Sequence, residues 1–121
     1  MARLAIGVDF GGTKVLASVV DVDSGKIRGT GKKKTDPTDG PDELMSRIYD
    51  VSRKAVSKSG ADMSEMVGIC VGIAGQVDTE RGILVGTANL SRSVVNLEMA
   101  RLLHEELGIP AIIRNDVQIA A

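Results

Sequence analysis

The stretch Asp9-Phe10-Gly11-Gly12-Thr13-Lys14 gathers a carboxylate, two glycines, a hydroxyl and an amine within six residues. That set suits phosphate chemistry. Adjacent glycines let backbone N–H groups face an anion. Thr13 adds a hydroxyl, Lys14 adds a charge, and Asp9 is placed to meet a divalent cation. Asp9 also closes the apolar run 4–10, where a buried charge is costly unless a cation compensates it. The spacing is neither that of a P-loop nor that of a dinucleotide-binding fingerprint, because a strand pattern follows the glycines instead of a helix. A Gly-Gly hairpin turn with a surface aspartate is the competing reading.

Asn115-Asp116 follow a second apolar run and precede a short helical pattern. Both types are favoured helix N-caps. Alternatively, Asp116 stands at the same sheet edge as Asp9, where one carboxylate binds metal and the other accepts a hydroxyl proton during phosphoryl transfer. Gly75 and Gln76 end another strand pattern at that edge. Gly75 would admit a polyol close to the backbone, and the amides of Gln76 and Asn89 could bind its hydroxyls. Ordinary loop polarity is the other reading of each. The triplet Lys32-Lys33-Lys34 reads as a solvated strand edge more than as an anion patch.

These groups need a scaffold. Apolar patterning predicts strands over 4–10, 15–22, 26–35, 66–74 and 111–114, the first three joined by tight turns. Pro41, Asp42 and Glu43 open a helix that Gly60 ends, and a second helix runs over 96–107 to Gly108. Residues 77–85 form a small hairpin. Strand 66–74 alternates branched Val67, Ile69, Val71 and Ile73 with small Gly68, Cys70, Gly72 and Ala74. The small side is expected to let a helix pack close. The order β-β-β-α-β-α-β predicts an α/β fold, a five-stranded mixed sheet with flanking helices. Residues 117–121 start a helical pattern, so the sequence reads as part of a longer polypeptide.

Composition narrows the function. A chain of 121 residues, 43% hydrophobic and 26% charged, makes one soluble globular domain. Fifteen Lys+Arg against sixteen Asp+Glu leave a net charge of -1, which provides no field for nucleic acid or an acidic membrane. Phe10 and Tyr49 are the only aromatics, so base-stacking platforms are missing. The single cysteine, Cys70, excludes an internal disulfide and a multi-cysteine zinc cluster and reads as inert core. His104 reads as a helix-surface or boundary histidine. No apolar run approaches the ~20 residues of a membrane helix, and the start lacks a signal-peptide pattern. The expected location is cytoplasmic.

Four blocks, residues 6–14 (IGVDFGGTK), 72–78 (GIAGQVD), 87–90 (TANL) and 107–121 (LGIPAIIRNDVQIAA), resemble the amino-terminal domain of ROK-family sugar kinases. The resemblance covers essentially the whole chain and implies the ribonuclease H-like fold of actin and sugar-kinase ATPases. It implies that Asp9, Gly11, Gly12, Thr13 and Lys14 handle ATP phosphates and Mg²⁺, with Asp9 toward the metal. It implies Asp116 as catalytic base, Asn115 as a sugar-hydroxyl ligand, and Gly75, Gln76 and Asn89 as parts of the sugar pocket. The expected activity is phosphorylation of a hexose or N-acetylhexosamine, with residues 1–121 as the amino-terminal lobe. The second lobe would carry the adenine pocket, often a zinc site, and the contact through which such proteins often dimerise. Ala74, Ser91-Arg92-Ser93 and Val117-Gln118 depart from the common family pattern and bear on which sugar is bound. Two alternatives share the fold: a sugar-sensing transcription regulator, for which no DNA-binding segment precedes the first strand, and a non-enzymatic actin-like module.

Overall fold

The computed structural model describes residues 3–87 and 93–115. Strands β1 (Leu4–Phe10), β2 (Lys14–Asp21) and β3 (Ile27–Lys34) form an antiparallel meander, followed by helix α1 (Pro41–Ser59). Then come β4 (Met66–Ile73), a hairpin of β5 (Gln76–Asp78) and β6 (Ile83–Gly86), helix α2 (Met99–Leu107) and β7 (Ala111–Asn115). The main sheet has the order β3-β2-β1-β4-β7, with β4 parallel to β1 and β7 parallel to β4. β5 and β6 make a separate two-stranded sheet, as expected.

Local chemistry explains the boundaries. Asp21 Oδ1 closes the β2–β3 turn by accepting the N–H groups of Asp23 (3.0 Å) and Ser24 (3.3 Å). β3 is the expected edge. Of its three lysines, Lys33 pairs with Asp50 on α1 at 2.8 Å. Pro41 opens α1 with Asp42 and Glu43 in the first turn, where acids complement the helix dipole, and left-handed Gly60 ends it. The second helix starts at Met99, three residues later than expected. Leu97 instead exchanges both backbone hydrogen bonds with Leu84 (2.8 and 2.9 Å), which makes it strand-like.

The period-2 pattern divides the sheet into two unlike faces. Ile6, Val8, Phe10, Val15, Ala17, Val19, Ile69, Val71, Ile73 and Ile113 face one side and are buried there with Leu44, Ile48 and Val51 of α1 and Met99 and Leu103 of α2. Gly7 and Asp9 are exposed on the other side, with Ala5, Ser18 and Cys70 half-buried, and neither helix covers it. The helices therefore pack on the branched side of β4, not on its small side. Branched side chains remove more apolar area from water, at roughly 25 cal/mol per Å². Close helix contact on small residues does occur, but on β3, at Gly29 and Gly31. Among the described residues no helix is long and apolar enough to cross a membrane.

Candidate active site

The turn between β1 and β2 carries the proposed phosphate residues. Gly11 N–H donates to Lys14 O (2.9 Å), while Thr35 holds the opposite side. Thr35 Oγ1 donates to Gly11 O (3.3 Å) and Thr35 N–H to Thr13 O (3.0 Å). Neither Gly11 nor Gly12 has a positive φ, so the turn does not need glycine for its backbone shape. What matters at Gly12 is the missing side chain. A Cβ built there meets nothing within 4 Å, and its N–H has no hydrogen-bond partner among the described residues. The space and the donor fit an approaching phosphate. The nest is narrower than the sequence suggested, because the Gly11 N–H is already used.

Asp9 is exposed on the open face of the sheet, in register with Gly72 and, beyond it, Arg114. The expected burial penalty is therefore absent from this chain, because strand alternation turns Asp9 away from the helix-covered side. Its carboxylate has no hydrogen bond or ion pair among the described residues, where no group of three His, Cys, Asp or Glu could hold a metal alone. A single free carboxylate is the kind of ligand Mg²⁺ takes, since the ion keeps most of its shell as water and phosphate oxygen. Exposed Lys14 lies opposite Lys34 and has no ion pair among the described residues.

Phe10, Ile73 and Asn115 lie in one cross-strand row, so β1, β4 and β7 end at the same rim. The first and last are two strand spacings apart, about 10 Å. Asn115 Nδ2 donates to Gly75 O, which joins two expected sugar-pocket residues. Gly75 has φ 156, and a Cβ there would stand 2.7 Å from Gly86 O. Gln76 follows as the exposed first residue of β5. Asp9 and Asn115 share the rim but sit on opposite faces of the sheet by alternation. Asp116 and Asn89 lie outside the described residues.

Thr35 escaped the sequence reading. Its only signal was register: Lys14 opposite Lys34 puts Thr13 opposite Thr35. His104 is exposed, with Nδ1 3.0 Å from Ile109 O, and takes no part in the site. Cys70 is half-buried. It lies on the side of the sheet that neither helix covers, so it is not the core residue expected, while burial still pushes its thiol pKa up, partly offset by Arg114.

The family model described as the ROK family matches residues 5–121. This chain belongs to the ROK family. A curated relative, the glucokinase of Streptomyces coelicolor, is 33% identical over 119 residues, which are 98% of this chain and 34% of that protein. Among solved structures, a ROK family glucokinase from Streptomyces griseus in complex with glucose and AMPPNP is 31% identical, with a TM-score of 0.78 over 93% of this chain and 33% of that one. The ROK hexokinase from Thermus thermophilus is 26% identical, with a TM-score of 0.85 over 98% of this chain and 37% of that one. The chain thus spans about a third of the length of these relatives. Its five-stranded mixed sheet with flanking helices is the ROK sugar-kinase form of the actin-like ATPase fold.

Proposed function

We propose that the complete protein is an ATP-dependent kinase for a hydroxyl of a hexose or N-acetylhexosamine, with residues 1–121 as its amino-terminal lobe. The observation that carries this is the unpartnered Gly12 N–H in the turn after β1, the strand that carries the free Asp9 carboxylate and shares a rim with Asn115. The glucokinase relatives, one of them holding glucose and an ATP analogue, support it. ATP supplies the phosphoryl group, and Asp9 would hold its Mg²⁺. The Gly12 N–H, Thr13 and Lys14 bind and neutralise phosphate oxygens. Asn115, Gly75, Gln76 and Asn89 orient the sugar, and Asp116 accepts the proton of the attacking hydroxyl. Positioning and charge neutralisation are what phosphoryl transfer asks of a protein. The proposed location is the cytoplasm.

The test is sugar-dependent ADP release by the complete protein across a panel of hexoses and N-acetylhexosamines. Asp116→Asn is expected to lower turnover by about a thousandfold while sugar binding persists. No ADP release with any sugar sinks the proposal, and full turnover by Asp116→Asn removes that residue from the role of base.

A further inference from the structure

The hydrogen bonds around the turn give Thr35 a task beyond closing β3. Its hydroxyl and its N–H each engage a carbonyl of the turn, Gly11 O at 3.3 Å and Thr13 O at 3.0 Å. A trans peptide is planar, with C=O and the next N–H on opposite sides. Drawing Gly11 O toward Thr35 therefore turns the Gly12 N–H away from Thr35.

Thr35 is itself held on both sides. Arg47 on α1 donates Nη1 to Lys34 O (2.8 Å), the carbonyl just before Thr35. Its Nη2 donates to Asp39 Oδ1 (3.1 Å) and its Nε to Asp39 Oδ2. Asp39 Oδ2 accepts the N–H of Asp36 (3.2 Å), the residue just after Thr35. Asp39 is buried, and Thr35 is half-buried. One ion pair anchored on a 19-residue helix thus fixes the backbone on either side of the threonine. A strand end that would otherwise fray becomes a rigid backing for the turn.

We propose that Thr35 is a positioning residue for donor phosphates, its hydroxyl aiming the Gly12 N–H and the Arg47–Asp39 pair holding it in place. This rests on the kinase reading above. It assigns to Thr35 no contact with substrate.

The test uses the complete protein and reads ATP binding by calorimetry, sugar binding, turnover and melting temperature. Thr35→Val keeps the shape and the backbone bond but removes the hydroxyl. It is expected to weaken ATP binding about three- to tenfold, the range of one hydrogen bond, and to raise the KM for ATP in step. Sugar affinity stays unchanged, and Thr35→Ser binds ATP within about twofold of wild type. In the wild type, ATP is expected to slow exchange of the Gly12 amide, a readout independent of any variant. Unchanged ATP affinity in Thr35→Val, no rescue by serine, equal loss of sugar affinity, or a Gly12 amide indifferent to ATP overturns the proposal. ATP binding without turnover sinks the kinase reading but still judges Thr35 by these binding measurements. No ATP binding at all sinks both.

Discussion

A Cβ on Gly31 would stand 2.3 Å from the Val51 carbonyl oxygen, so helix α1 lies with its backbone against strand β3. Gly29 repeats the contact one turn along, where a Cβ would be 2.4 Å from Ala55 O. Backbone atoms cannot rotate aside as a side chain can. Gly31→Ala is therefore expected to destabilise the fold by about 3 kcal/mol, the upper range for overpacking. Urea unfolding measures it, and a loss under about 1 kcal/mol would mean that the helix can lift off the strand cheaply.

Asp39 and Arg47 form the most buried ion pair of the described residues, with side-chain exposures of 8% and 25%. The Arg47 guanidinium, by hydrogen bonding to it, holds the Asp39 carboxyl below its ordinary value, against the opposing effect of burial. Asp36 is held low as well, chiefly by hydrogen bonds from the Thr38 hydroxyl and N–H. A lowered folded-state pKa contributes stability that is fully present above the unfolded value, near 3.9. That stability is lost as the pH falls through the folded value. Below about pH 4 the wild type should lose stability steeply, and Asp39→Asn should flatten that limb. Asp39→Ala should cost about 2 kcal/mol at pH 7 by removing charge-assisted hydrogen bonds. Melting temperatures of the three proteins from pH 3 to 7 check both statements.

Gly12 should separate folding from binding. Its φ is compatible with any residue, and a Cβ would enter open space. Gly12→Ala is expected to leave stability unchanged or to raise it by a few tenths of a kcal/mol, because alanine restricts the unfolded chain. The same methyl group would occupy the approach to the Gly12 N–H, so ATP affinity should fall at least about tenfold, a phosphate hydrogen bond being charge-assisted. Undiminished ATP binding by a well-folded Gly12→Ala protein would place the phosphates elsewhere.

Cys70 should be a slow thiol. Its pKa is raised by burial, with Arg114 only partly opposing, so little thiolate exists at neutral pH. Iodoacetamide is expected to modify it roughly tenfold more slowly than glutathione at pH 7, with the rate climbing above the ordinary thiol range. Labelling at the rate of free glutathione would show that the small face of β4 is more open than its half-buried sulfur suggests.

Much of the architecture was legible because its signals are local. The apolar runs, Pro41 at a helix start, and the glycine stops at Gly60 and Gly108 act through backbone geometry within a few residues. The turn proposed to bind phosphate could be singled out for the same reason, since Asp9 to Lys14 are consecutive. Asn115 and Gly75 could be assigned to one rim from strand order, but not to one hydrogen bond. The start of α2 was misplaced because Leu97 has helical spacing in sequence and a strand partner, Leu84, in space.

Residue order and type alone settled the order of strands and helices, though not the start of α2, and that a carboxylate, a glycine turn and a lysine stand together at a strand end. The side of β4 that the helices cover, the exposure of Asp9, and the joining of Thr35 to Gly11 and Thr13 were settled only by the folded chain. Each depends on how elements far apart in sequence dock. Such contacts link residues such as Gly11 and Thr35, 24 positions apart, whose meeting is set by strand register and by where α1 anchors the chain. No local periodicity encodes that register, because it follows from burying the branched faces of all the strands at once.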